Sequence, residues 1–132
     1  MFNRNTNELV VSNIGDAACF ICRDNVVEKM IYEHKPTNKE EVERIEKAGL
    51  RVINDRINGI IAVSRSFGDK EFKAVSQKTQ EEQPISCIPY ISRTTLTEKD
   101  TFIVLCCGKI LFYIFNFFNF FTIFYNLFRR NY

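Results

Sequence analysis

Chemistry in this chain rests on few side chains: the aspartates Asp16, Asp24, Asp55, Asp69 and Asp100, the single histidine His34, and five cysteines. Carboxylate oxygens suit hard divalent cations, provided several converge on one point. Asp16 is the best metal candidate. It ends Asn13-Ile14-Gly15-Asp16, where glycine accepts a positive φ and Asn and Asp favour turns. That places its carboxylate at the tip of a hairpin. The same position suits an Asx turn, with the carboxylate bonded to its own backbone, and the sequence leaves both open. Asp69 closes a second polar turn that also carries Ser64, Arg65, Ser66 and Gly68. There Arg65 and Asp69 either line the rim of a site or fix the loop, by an Arg–Asp pair or Asp–backbone bonds. His34 has the chemistry of a general acid, but it precedes Lys35-Pro36 and reads as a solvated turn residue. Cys19 and Cys22 have zinc-knuckle spacing without a second pair. Strand positions three apart face opposite sides, so both read as strand cysteines.

The elements that position these residues follow from pattern. Residues 8–12, 17–22 and 26–32 read as an antiparallel meander separated by turn residues. Thr37-Asn38-Lys39-Glu40 has the form of a capping box. It predicts a helix at about 38–48. Val42, Ile45 and Ala48 share its apolar face, with Glu41, Glu43, Arg44 and Lys47 outside it, and Gly49 is placed as a C-cap glycine. Residues 50–53 read as a strand and Asn58-Gly59 as a hairpin turn. The run 60–63 reads as a buried strand that delivers the polar turn to a sheet rim. Residues 74–83 are polar and loop-like, and 85–91 and 101–107 are the last strands. The pattern predicts an α+β fold, mostly antiparallel strands with helices packed on a face.

A length of 132 residues and an apolar fraction of 45% fit one globular domain. The net charge of +2 equals the pair Arg129-Arg130, so residues 1–128 carry no net charge. No basic patch supports nucleic-acid binding. Residues 1–7 are polar with no apolar stretch after them, so no secretory leader is expected. An odd cysteine count without a leader points to free thiols in a reducing compartment, hence a cytoplasmic location.

Residues 59–69, Gly-Ile-Ile-Ala-Val-Ser-Arg-Ser-Phe-Gly-Asp, resemble the A-V-S-R-[AS]-[FL]-G-D motif of the metal-dependent PPM family, the PP2C-type Ser/Thr protein phosphatases. Asn13 to Asp16 resembles its N-x-G-D hairpin, and His34-Lys35-Pro36 its H-K-P turn. Glu43 to Gly49 is similar to its E-x-x-R-I-x-x-A-G helix end. Asp100 to Cys107 resembles the strand that leads into D-G-[LIV]-[WF]-[DE]. The motifs keep the family's order over about residues 8–107. The resemblance implies a PP2C-like β-sandwich with flanking helices, only part of which this chain holds. It implies Mg2+ or Mn2+ as cofactor and phosphoserine or phosphothreonine proteins as substrates. It assigns Asp16 to an accessory metal and Ser64, Arg65, Gly68 and Asp69 to the signature loop. The family's D-G-H-[GA]-G motif with its catalytic histidine, an earlier acidic ligand and a phosphate-binding arginine find no match here. Gly108-Lys109 stands where a core aspartate is expected. The chain is therefore expected to be a truncated phosphatase domain with no catalytic residue of its own and without activity. The alternatives are a membrane-tethered pseudophosphatase acting as a binding module, and a gene-model fragment without function.

Residues 110–128 carry no charge and hold eight of the 13 phenylalanines. Nineteen uncharged residues suffice to cross a bilayer as a helix, although three asparagines oppose it. Nothing in the family resembles this stretch. Three readings stand: translated non-coding sequence or a frameshift, a C-terminal membrane anchor, and an apolar core segment.

Overall fold

The computed structural model describes residues 1–107. The readings of Gly108, Lys109 and the apolar run 110–128 lie outside the described residues. The strands are β1 (Phe2–Asn3), β2 (Glu8–Asn13), β3 (Ala18–Arg23), β4 (Val26–Lys29), β5 (Val52–Ile53), β6 (Arg56–Ile57), β7 (Tyr90–Thr95) and β8 (Asp100–Cys106). One α-helix, α1 (Lys39–Lys47), and one 3-10 turn (Lys70–Lys73) complete the described elements. The fold is α+β, as the pattern predicted.

Two three-stranded antiparallel sheets form, in the orders β1-β2-β7 and β4-β3-β8, with β5 and β6 a separate hairpin. In β2 the alternation is direct: Leu9, Val11 and Asn13 are buried, the period of two expected when one face meets a core. Residues 18–22 of β3 are buried on both faces. Leu9 and Val11 of the first sheet join Ala18, Cys19, Phe20 and Ile21 of the second, with Ile31, in one apolar cluster. Each fully buried Leu, Ile or Phe there contributes roughly 1.5–3 kcal/mol. The register pairs Glu8 with Thr95 in β2–β7 and Ala18 with Cys106 in β3–β8. A bulge between Cys22 and Arg23 brings Arg23 opposite Asp100, and the guanidinium grips that carboxylate through Nε–Oδ1 at 2.8 Å and Nη2–Oδ2 at 3.1 Å. A second cluster, Ile45, Ile57 and Ile85, packs α1 on the small hairpin.

Helix α1 matches the predicted span, but its start differs. Asn38 is the N-cap and makes no side-chain cap bond. Its Nδ2 instead donates to the Glu33 carbonyl at 2.6 Å. Thr37 thus lies one residue too early for the predicted capping box. The C-terminal end is as expected. Gly49 has φ 86°, its N–H donates to the Glu46 carbonyl, and Leu50 N–H to the Ile45 carbonyl. These bonds form a Schellman motif that satisfies two helix-end carbonyls.

Three strand expectations are corrected. The run 60–63 is not a buried strand: Ile60 is 62% exposed, and the run makes a single bridge, Ile61 to Ile57, with another, Arg65 to Ser86, just after it. Two successive turns with positive φ, at Asn54-Asp55 and Asn58-Gly59, fold the chain back on itself, so no ladder forms. Asn58-Gly59 is the expected turn, whereas Asn54-Asp55 closes the β5–β6 hairpin. Residues 85–89 make no strand, because Pro84 and Pro89 bracket them and each lacks a donor; β7 begins at Tyr90. β4 ends at Lys29, short of residue 32.

Candidate functional site

Two turns meet at the end of the first sheet. Asn13 closes β2 and is buried; its Nδ2 donates to the Tyr32 carbonyl at 2.9 Å. Gly15 follows with φ 73°, and Asp16 stands exposed at the hairpin tip. A Cβ on Gly15 would lie 3.1 Å from the Arg65 carbonyl oxygen. The hairpin therefore packs against the Ser64–Asp69 turn so closely that any side chain at residue 15 would crowd it. Between them opens a cleft of about 460 Å³, with Asp16 on one side and Ser66, Phe67 and Pro89 on the other. The structure thus brings Asp16 and the signature turn together.

Sequence reading placed His34 in solvent. It is fully buried. Its N–H donates to the Gly15 carbonyl at 2.9 Å, and its own carbonyl accepts from Ser64 N–H at 2.9 Å. Its Nδ1 accepts from Gly15 N–H at 3.1 Å. Burial, with the guanidinium of Arg65 nearby, pushes the imidazole below its ordinary range. The turn is recognisable in Lys35-Pro36, but Pro36 is itself fully buried and takes the histidine inward with it.

The largest correction concerns Glu41, which the helical pattern put outside the apolar face. It is fully buried with Ile45. The Arg65 guanidinium reaches it through Nη2 at 2.6 Å and Nε at 3.1 Å. Arg44 Nη2 donates at 2.7 Å and Ser64 Oγ at 2.5 Å. Burial opposes its ionisation, but the bonds from Arg44, Arg65 and Ser64 prevail and lower its pKa from 4.5 to about 2. Further bonds tie these arginines to the backbone. Arg44 bonds the carbonyls of Gln83 and Ser64, and Arg65 that of Ile88. Arg65 therefore pairs with Glu41, not with Asp69. Asp69 sits exposed in the left-handed region at φ 49° and accepts from Ser66 Oγ, with Gly68 at φ 81° before it. The signature-loop residues thus divide: Ser64 and Arg65 belong to a buried ion-pair assembly, while Gly68 and Asp69 shape the exposed turn. A residue-spacing signal for Glu41 existed, since it lies four before Ile45 and seven before Ala48, on one helical stripe.

A hard dication takes about six oxygen ligands. Asp16 is the acid among the residues lining the cleft. Among the described residues no three His, Cys, Asp or Glu side chains converge. Residues 1–107 alone therefore do not fit a magnesium or manganese ion. Cys19 and Cys22 are buried free thiols of β3, as expected of strand cysteines. Burial pushes the Cys19 thiol up, which makes it a poor nucleophile.

Residues 1–114 match the family described as Protein phosphatase 2C. A relative named "Probable protein phosphatase 2C 3" from Paramecium tetraurelia is 43% identical over 104 residues, covering 79% of this chain and 35% of that protein. "Protein phosphatase 1B" from Mus musculus is 41% identical over 98 residues, covering 74% of this chain and 25% of that one. Among solved structures, a phosphatase from a pathogenic strain of Toxoplasma gondii aligns with a TM-score of 0.61 at 34% identity, over 66% of this chain and 28% of that one. A sex-determining protein of C. elegans shares the fold with a TM-score of 0.64 at 21% identity, over 80% of this chain and 25% of that one. The chain thus spans about a third or less of the length of these relatives.

Proposed function

The chain belongs to the protein phosphatase 2C family, and from that premise we propose that residues 1–107 form a scaffold portion of a metal-dependent phosphatase acting on phosphoserine and phosphothreonine in proteins. Chemistry of this class draws its nucleophile and its charge stabilisation from paired divalent ions held by several carboxylates. The contribution of this segment to such a centre is Asp16, at the accessory position. Arg65 and Ser64 serve the scaffold rather than the phosphoryl group, because their side-chain bonds go to Glu41 and, for Arg65, also to the Ile88 carbonyl. The chain by itself does not hydrolyse phosphate esters. One observation supports that reading most: the cleft shared by the hairpin and the signature turn offers one carboxylate where several are required.

The test is direct. The purified chain, assayed with manganese on a phosphothreonine peptide and on an aryl phosphate, is expected to match the buffer rate. Manganese-stimulated turnover that disappears in Asp16→Ala would overturn the proposal.

A further inference from the structure

We propose that His34 is a positioning residue: through its imidazole and its backbone it couples the hairpin that carries Asp16 to the signature turn, and so fixes where that carboxylate stands in the cleft. Three bonds meet at this one residue. Gly15 is held from both sides, its N–H by His34 Nδ1 at 3.1 Å and its carbonyl by His34 N–H at 2.9 Å. Ser64 N–H is held by the His34 carbonyl at 2.9 Å. Gly15 directly precedes Asp16, and Ser64 opens the signature turn. Two backbones that approach as closely as Gly15 and Arg65 are thus pinned to a common post.

The imidazole is specifically required, not merely its volume. An acceptor at Nδ1 dictates the tautomer with the proton on Nε2. That Nε2 is buried without a hydrogen-bond partner, a cost that an apolar side chain of similar size would avoid. The surroundings hold the ring neutral, with its Nδ1 lone pair free to accept. Burial acts first and Arg65 next, with Arg44 in the same sense, while Glu41 and the Gly15 bond oppose them. Tyr32 meets the ring edge-on at 5.7 Å. The consequence for Asp16 rests on the phosphatase reading of the cleft, whereas the coupling of the two turns does not.

Two readouts on the 15N-labelled full chain test the proposal. Imidazole nitrogen shifts are expected to report the Nε2–H tautomer, still unprotonated below the ordinary histidine midpoint. Amide exchange supplies the second. His34→Asn places Oδ1 where Nδ1 stood, whereas His34→Gln moves the acceptor to the Nε2 position. Gly15 N–H is expected to stay protected in wild type and in His34→Asn. In His34→Gln and His34→Leu it is expected to exchange at least tenfold faster, with Ile45 in α1 unchanged. A residue serving packing alone would give the opposite order, since glutamine is the closer match in volume. Equal or better protection in His34→Gln than in His34→Asn overturns the proposal, as does an Nδ1–H tautomer or an unprotected Gly15 amide in wild type. Should a variant lose Ile45 protection and fail to fold, the wild-type tautomer and exchange rate decide. Phosphatase turnover by the chain would refute the functional proposal and leave this one standing.

Discussion

Glu41 is a fully buried carboxylate with two guanidinium partners and a hydroxyl. Removing one member of such a buried pair leaves an uncompensated charge, at a cost of about 3–5 kcal/mol. Glu41→Ala is therefore expected to lower the free energy of unfolding in urea by that order. Its acid response has a definite sign. The folded pKa of about 2 lies below the ordinary 4.5, so the unfolded chain binds more protons between those values. The stabilisation is complete above about pH 4.5 and is lost as pH falls towards 2, with a total on the order of 3 kcal/mol. Glu41→Gln is expected to flatten the urea midpoint over that interval; a slope equal to wild type would place the acid sensitivity elsewhere. Asp16 and the turn around it were legible in the sequence because turn chemistry is local. Glu41 and His34 were not. Their burial depends on Arg65 and Ser64, 23 or more residues away, and on Gly15, 19 residues back. A charged residue on a helix and a histidine before proline both look like surface until those partners are placed.

Among the elements, β2, β3, α1 and β8 could be read to within a residue or two, because alternation, helical spacing and the Gly49 terminus mark them. The run 60–63 and residues 85–89 could not, since apolar content there is overruled by positive-φ turns and by prolines that withhold ladder donors. Two glycines separate conformational strain from contact. Gly49 has φ 86° with open space around its Cβ position, so Gly49→Ala is expected to cost roughly 1–2 kcal/mol, the penalty of the left-handed region alone. Gly15 has φ 73° and the Arg65 carbonyl at 3.1 Å. Gly15→Ala is expected to cost more, and to raise the exchange rate of Ser64 N–H as the two turns part. Chemical denaturation of both variants side by side checks the order, and equal losses would show that the close approach contributes nothing.

At the scale of the molecule, the family was legible because five short motifs keep their order across the chain. The described residues also carry apolar side chains in the open: Phe67 at 81%, Leu105 at 77% and Val26 at 61% exposure. Exposed apolar surface promotes association. The chain is expected to bind an environment-sensitive apolar dye and to sediment as a concentration-dependent mixture, and Phe67→Ser with Leu105→Ser is expected to reduce both. Unchanged sedimentation in the double variant would locate the association outside these positions. The strand pairing has a further consequence, for the order of assembly. β2 and β3 lie early in the chain, yet their partners β7 and β8 arrive some eighty residues later, with Arg23 meeting Asp100 across a separation of 77. Helix α1 and the pairs β1–β2, β3–β4 and β5–β6 can close from neighbouring residues, whereas distant pairing is slow because the intervening loop must be ordered first. During synthesis the helix and these local pairs are thus free to form at once, while the second edges of β2 and β3 wait for β7 and β8 to leave the ribosome. That interval is when a chaperone has most to hold.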